Sequence, residues 1–501
     1  MINWQQILKI LGILLFIEAS HLLVSLGVAM FYHEDIMPFL WAIVCAVVLG
    51  SIGVAVGWNA GKNINRRDGY VIVSLVWIVF SLIGSIPFML SGCVSDFASA
   101  FFETMSGFTT TGATIMDNID ALPRSVVFWR SMTQWTGGIG IIFFTLAILP
   151  AFGVGEVKLF AAESTGPLHD KIHPRISVAV KWIGSIYLEL TLLCILALWL
   201  CGMNIFDAVN IGMTTTGTGG FSPHSALFHD QWHSPAIEYV TTGFMFLSGV
   251  NYTLLFYAIL KGKIRKAFNN YELRVYIFFV LVATLLCTAF LLIKNGGNGV
   301  ESTFRESLFT TISLLTTTGF ASYDYTLWPQ ILMPLLIFMM FAGACSGSTS
   351  GGFKCVRWAI LWKGLQNEFK RIIHPRIVAP VKLNNDIIPT SVQKTLLAYV
   401  TLFVGSLFLG TFILLLCGVD SSYIEANGLA GVIRQDYTEA LSLSLSSLSN
   451  VGLAMDYYGP MHSWIVLNPV AKLTCAFLML IGRLEIFPIF ILLTKSFWKK
   501  E

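Results

Sequence analysis

The sequence is poor in charge. Only 12% of its 501 residues are Asp, Glu, Lys or Arg, against 55% hydrophobic, and its mean hydropathy is +0.73. Soluble domains carry roughly 25% charged residues, so the deficit excludes an ordinary soluble fold and points to an integral membrane protein. A net charge of +3 is too small to suggest nucleic acid as a partner. The nine cysteines are scattered with no CxxC pair, and even the close pair Cys345 and Cys355 lacks metal-ligand spacing. They read as small buried hydrophobes. No GxxxxGK[ST] loop is present and no GxGxxG opens a βαβ unit. With no catalytic constellation either, the chain is expected not to be an enzyme. It is expected to need a separate protein for any nucleotide sensing.

What is present is a series of apolar runs. A helix crosses the hydrocarbon layer with about 20 apolar residues. About ten spans meet that length, near 6–32, 38–60, 70–92, 125–150, 180–202, 236–260, 273–293, 330–362, 392–417 and 466–494. The first is too long and apolar for a cleaved signal peptide and reads as a retained helix. Four shorter segments, 97–108, 205–213, 302–315 and 437–448, cannot cross and read as half-helices that enter and turn back. Asp96 and Glu103, Asp207, Glu301 and Glu306, and Asp436 and Glu439 lie at or near their starts. Basic residues gather around Lys62-Arg66-Arg67, Lys158-Lys171-Arg175-Lys181, Lys261 to Lys266, Lys363 to Lys382 and Lys495 to Lys500. Counting from a cytoplasmic N-terminus puts every basic cluster inside. The C-terminus is then cytoplasmic too, and many of the acids lie outside.

A four-residue string closes each half-helix. It reads Thr109-Thr110-Thr111-Gly112, then Thr214-Thr215-Thr216-Gly217, then Thr316-Thr317-Thr318-Gly319, and in degenerate form Ser449-Asn450-Val451-Gly452. The glycines are 105, 102 and 133 residues apart, the spacing of duplicated units. A single such string would be an ordinary small-residue helix contact; four, each behind a half-helix, suggest four backbone segments meeting around one pore. A cation entering a membrane must exchange its water shell for fixed oxygens. Irregular backbone at membrane depth is tolerated where it lines a watery cavity, and glycine permits the dihedrals that keep carbonyls converging. Four segments would give rings of four oxygens. One glycine per strand predicts fewer ordered sites and looser discrimination against sodium than a strand with two glycines.

The expected fold is an all-α polytopic membrane protein. Four pseudo-repeated units of helix, pore half-helix, filter and helix surround one pore behind an N-terminal two-helix hairpin. The hairpin is 1–66, and the units are 67–155, 156–268, 269–378 and 379–501.

These four segments resemble the filter segments of the Trk/Ktr/HKT superfamily of potassium transporters, and the chain is most similar to its bacterial TrkH/TrkG membrane subunits. The extra hairpin favours that branch over the shorter Ktr type. The resemblance covers nearly the whole chain. It implies gated, channel-like potassium uptake across the cell inner (plasma) membrane, with potassium as the transported ion and no organic cofactor. It further implies a homodimer with one pore per subunit, and a cytosolic ring of TrkA-type nucleotide-binding subunits on the basic inner face. The filter residues it implies are Thr110, Thr111, Gly112, Thr215, Thr216, Gly217, Thr317, Thr318, Gly319, Asn450, Val451 and Gly452. The interruption from Gly343 to Phe353, with Gly343, Gly347, Gly351 and Gly352, is similar to the family's intramembrane gating loop. Gly and Ser hold a helix poorly and can move, although a simple helix kink would also fit. Arg483 resembles the pore-facing arginine of the last helix. A charge deep in a span usually faces a cavity, and below a filter it would repel potassium. A local pair with Glu485 is disfavoured, because helix residues two apart do not face each other.

The fourth segment leaves a question open. If hydroxyls coordinate the ion, Ser449, Asn450 and Val451 make one wall weaker; if backbone carbonyls do, the change matters little. Coupled symport with proton or sodium also stays open, with Glu103, Glu189 and Glu485 as the nearest intramembrane acids, as does a non-transporting scaffold. His173-Pro174-Arg175-Ile176 and His374-Pro375-Arg376-Ile377 echo each other in inner segments. They read as duplicated loop sequence or as docking surface. The pairs His169 with His173 and His229 with His233 lack an obvious third metal ligand. Trp77, Trp129, Trp232 and Trp328 are expected to be interfacial anchors.

Overall fold

The computed structural model describes residues 2–61, 65–147, 176–259, 261–294, 296–297, 299–384, 386–419 and 436–499. These are mostly helical, and the strands among them are one two-residue antiparallel pairing of Lys382–Leu383 with Asp386–Ile387. Six helices among the described residues are long and apolar enough to cross a membrane: Trp4–Phe31, Met37–Val56, Arg66–Leu90, Lys181–Leu200, Tyr271–Lys294 and Thr390–Cys417. The first two form the N-terminal hairpin, and glycine sets how closely they approach. A Cβ at Gly12 would lie 2.6 Å from the Gly50 carbonyl oxygen, and one at Gly53 would lie 2.6 Å from that of Leu8. Backbone meets backbone where lipid gives no hydrophobic drive to associate.

Three of the expected spans are not continuous. The span expected at 236–260 is Pro235–Ser248 and Tyr252–Ile259, bent by 107°. That at 330–362, where the sequence already marks an interruption from Gly343, is Met333–Ala342 and Cys355–Ile373. The last, expected whole over 466–494, is Pro469–Arg483 and Phe487–Leu492, parted where Glu485 and Ile486 take φ of 56° and 66°. The first two breaks hold each other. Cys345 N–H donates to the Gly249 carbonyl (3.0 Å), and Tyr252 N–H donates to that of Gly347 (3.1 Å). The freed backbone groups of one broken helix thus find partners in the other, as hydrocarbon surroundings require.

The four half-helices are Phe97–Phe108, Ile205–Gly217, Val300–Leu315 and Tyr437–Ser449. They begin at caps of different chemistry. Asp96 accepts from Ser99 N–H (2.8 Å) and Asn204 from Asp207 N–H (2.9 Å), whereas Gly299 starts the third in the left-handed conformation. Each is buried along most of its length, polar residues included. The expected tryptophan belt is corrected: Trp77, Trp129 and Trp328 are buried, with Trp129 Nε1 donating to the Gly84 carbonyl (3.0 Å) and Trp328 Nε1 to Glu306 (2.7 Å). A buried indole N–H needs a partner, and those of Trp129 and Trp328 find one inside the protein.

Candidate functional site: a closed ring of four backbone segments

All four half-helices end in the same backbone motif. Thr111, Gly219, Thr318 and Val451 N–H groups donate to carbonyls five residues earlier, those of Ser106, Thr214, Ser313 and Ser446, at 2.8–3.0 Å. The residues just before these donors, Thr110, Thr218, Thr317 and Asn450, bond three residues back and have φ of 51°, 52°, 54° and 56°. This is the Schellman termination with a left-handed residue at its turn. One residue after each donor comes a glycine, Gly112, Gly220, Gly319 and Gly452, with φ of 87°, 81°, 79° and 85°.

These four glycines close a ring. A Cβ at Gly112 would fall under 3.0 Å from the Gly219 carbonyl oxygen, at Gly220 from that of Thr318, at Gly319 from that of Val451, and at Gly452 from that of Thr111. Each segment therefore seats its glycine against the same carbonyl of the next, and the fourth returns to the first. All four glycines line one cavity of about 120 Å³.

The ring corrects one register. Thr110, Thr111, Gly112, Thr317, Thr318, Gly319, Asn450, Val451 and Gly452 stand in it where expected. Thr215, Thr216 and Gly217 do not: they form the last turn of their half-helix, and Thr218, Gly219 and Gly220 occupy the ring. The repeated string misled because the second half-helix runs three residues further before its turn. The glycines at 217, 219 and 220 leave more than one register open in the sequence, and only the structure shows that Gly220 stands two residues after the left-handed position. Gln134 holds this second segment from the neighbouring span. Its Nε2 donates to the Gly219 carbonyl (2.6 Å) and its Oε1 accepts from Phe221 N–H (3.0 Å). Nothing in the sequence singled out Gln134.

The loop from Gly343 to Phe353 lies directly against this ring. Gly351 N–H donates to Thr317 Oγ1 (2.7 Å), and Thr349 Oγ1 donates to the Thr216 carbonyl (3.1 Å). A Cβ at Gly351 would collide with the Ser449 carbonyl, one at Gly343 would lie 2.8 Å from that of Gly351, one at Gly352 would lie 2.8 Å from Gly343 Cα, and one at Gly347 would lie 2.9 Å from Asn251 Nδ2. Arg483 is 2% exposed. Its Nη1 donates to the Thr349 carbonyl (2.8 Å) and its Nη2 to that of Gly137 (2.9 Å). No carboxylate pairs with it among the described residues. Glu485 turns away to Arg357 Nη2 (2.5 Å), so the local pair disfavoured from spacing does not form. Asn450 Nδ2 bonds Thr111 Oγ1 (3.1 Å) and the Met479 carbonyl (2.9 Å), tying the fourth segment to the first and to the last span.

Of the other candidates, His229 Nδ1 faces Glu238 Oε1 and Tyr323 Oη, both at 2.9 Å. His169, His173 and the first His-Pro-Arg triplet lie outside the described residues, and the second triplet is exposed.

Half-length helices that converge on one closed ring of backbone, inside a body of membrane-length helices, define a multi-pass membrane protein of the ion-transporting class. The chain belongs to the TrkH family of cation transport proteins, whose pattern it matches over residues 39–500. It is 33% identical over 502 residues to the Trk system potassium uptake protein TrkH of Salmonella typhimurium, covering 99% of this chain and 100% of the relative. It is 32% identical to the Trk system potassium uptake protein TrkG of Escherichia coli K12, over 97% of each. The crystal structure of the potassium transporter TrkH from Vibrio parahaemolyticus superposes with a TM-score of 0.88 at 31% identity, covering 99% of this chain and all of that one.

Proposed function

We propose that this chain takes up potassium across the cell membrane through its central ring, as a gated, channel-like subunit. The observation that carries the reading is the ring itself. Four segments of different sequence adopt one backbone course and seat four glycines against four carbonyls in succession. Fixed oxygens in rings of four replace the water of a potassium ion. On this reading the filter is Thr110-Thr111-Gly112, Thr218-Gly219-Gly220, Thr317-Thr318-Gly319 and Asn450-Val451-Gly452. Coordination runs mainly through backbone oxygens, because Val451 supplies no hydroxyl and its segment still follows the common course. Potassium is the transported ion and no organic cofactor is required. The loop from Gly343 to Phe353 and Arg483 form the gate; the loop's hydrogen bonds to the ring and to a guanidinium whose charge opposes a passing cation support that reading. The basic face is cytoplasmic, both termini lie there, and the surface receives a TrkA-type nucleotide-binding ring; two copies of the chain form the working dimer. The names of the relatives support potassium as the ion. Expression in a strain lacking its own potassium uptake tests the reading: growth at low potassium is expected, and no growth with the protein present in the membrane overturns it.

One observation favours potassium symport coupled to proton or sodium. Glu103 and Glu485 are engaged by Arg130 and Arg357, and Glu189 is exposed. Glu18, however, is fully buried in the hairpin, and neither of its oxygens has a hydrogen-bond partner among the described residues. A reversal potential that follows potassium alone across a pH or sodium gradient excludes the coupled reading; one that follows the second ion supports it.

A further inference from the structure

The cavity that meets the four ring glycines has a buried arginine in its wall. Arg130, on the span Arg124–Ala147, is 1% exposed, and Glu103, on the first half-helix, is fully buried. Arg130 Nε donates to Glu103 Oε1 (2.8 Å), Nη1 to the Ser222 carbonyl (3.1 Å) and Nη2 to Thr114 Oγ1 (3.2 Å), while the guanidinium lies 4.2 Å from the centre of the Phe221 ring. Glu103 also accepts from Thr114 Oγ1 (3.0 Å) and Ile115 N–H (2.9 Å). Thr114 and Ser222 each stand two residues beyond a ring glycine, Gly112 and Gly220. The pair therefore grips the strands that leave the first and second segments. The next gap around the ring is held by a pair of reversed polarity. There Glu238 is on the helix Pro235–Ser248 and Arg305 on the third half-helix (2.7 Å), and Glu238 accepts from Ser322 Oγ (2.9 Å) beyond Gly319.

A structural clamp alone could be apolar, and a buried ion pair is weak evidence for stability. A guanidinium beside a cation's path is also costly for conduction unless its charge is cancelled. We infer that Arg130 and Glu103 are a specificity-determining positioning pair. The fork of Arg130 fixes the spacing of the first and second filter segments, and Glu103 cancels its charge where potassium arrives. The inference rests on the filter reading above.

Potassium uptake into vesicles, with sodium uptake measured beside it, tests the pair. Uptake by the unaltered chain must be present first; its absence counts against the filter reading and not against the pair. Glu103→Gln leaves a bare positive charge in the wall and is expected to raise KM for potassium by about threefold or more. Arg130→Gln leaves a bare negative charge and should lower KM, while sodium gains on potassium by at least about threefold as the strands loosen. Joining both changes should return KM toward its starting value without restoring selectivity. Arg130→Lys, which keeps the charge but loses the fork, guards against loss of folding in the neutral variants: KM should stay near its starting value while selectivity falls. A merely structural pair would shift KM the same way in both single variants, or leave the sodium-to-potassium ratio unchanged in every variant. Either result overturns the inference.

Discussion

Three threonines in the ring hold a conformation that β-branched residues avoid. Thr110, Thr218 and Thr317 sit in the left-handed region, and Asn450, the fourth, is the type that enters it most readily. Such positions cost on the order of 1–3 kcal/mol each and persist where the surroundings over-determine them. The degenerate fourth segment is thus the relaxed one, and its departure in sequence is no departure in backbone. The corrected register yields a sharp contrast. Gly220→Ala is expected to abolish potassium uptake, because its Cβ would collide with the Thr318 carbonyl. Thr215→Val, in the last turn of the half-helix and outside the ring, should keep initial uptake rates within about twofold. Flux measured in both variants decides between the two registers.

His224, beyond Gly220, is a second residue with a measurable signature. Its Nδ1 faces Asp120 Oδ1 (2.5 Å) and its Nε2 faces Asp207 Oδ2 (2.9 Å). Carboxylates only accept, so both ring nitrogens must carry protons. The hydrogen bond to Asp207 leads in raising the His224 pKa, against opposing desolvation, with Asp120 adding to the rise. Burial pushes Asp120 up, but His224 and the Ser225 N–H outweigh it and hold that carboxyl below its usual value. The signs follow from linkage. The histidine's contribution to stability is complete below its ordinary pKa of about 6.5 and is lost as pH rises through the raised folded-state value. That of Asp120 is present above the ordinary carboxylate pKa and is lost as pH falls through the lowered one. Thermal unfolding from neutral to alkaline pH should show a declining limb in the unaltered chain. His224→Gln should flatten that limb; an identical limb in the variant refutes the bridge.

At the scale of elements, the half-helices were legible in the sequence almost to their ends. Hydrophobic length, a start marked by acids and a glycine-ended turn are local signals. The long spans were less legible: the Gly and Ser run marked the break at Gly343 to Phe353, whereas those at Gly249 to Asn251 and at Glu485 and Ile486 passed unseen, because hydropathy does not register a break whose backbone groups find partners in another segment. Gly249 to Asn251 and Gly343 to Phe353 explain each other only in contact. The loop and the last helix meet through Arg483, whose two charge-assisted bonds are worth roughly 1.5–3 kcal/mol each. Arg483→Ala should release the loop and raise basal ion flux by about tenfold; unchanged flux in vesicles argues against its role in the gate. The N-terminal hairpin makes the opposite kind of prediction. Gly12→Leu forces a side chain into the Gly50 backbone and should cost about 1–3 kcal/mol, seen as a lower Tm. Flux per folded molecule should be unchanged, since the hairpin contributes nothing to the ring.

Over the whole molecule, charge is arranged for one kind of traffic. Asp117 lines the cavity at the ring, and a neighbouring cavity of about 600 Å³ is lined by Asp324, Asp436, Glu439 and Asp456. The two share a wall, Gly459 to His462. Acids gathered around low-dielectric walls concentrate cations at the mouth, and salt screens the effect over about 10 Å at 0.1 M. The apparent KM for potassium should therefore rise severalfold as ionic strength is increased with an impermeant salt. Asp324→Asn combined with Asp456→Asn should weaken that dependence; a KM insensitive to salt in the unaltered chain rules the steering out.

The amino-acid sequence by itself determined that this protein lives in a membrane, crosses it with long apolar helices and carries four half-helices that end in glycine-bearing turns. Those properties depend on apolar length and on which residues tolerate positive φ, and both are written locally. The tertiary structure alone decided that Gly220, and not Gly217, completes the ring, that Glu485 belongs to Arg357, and that Arg483 holds the loop. Each of these turns on which backbone carbonyl or charged group a distant segment brings within about 3 Å, and no local pattern in the chain records that.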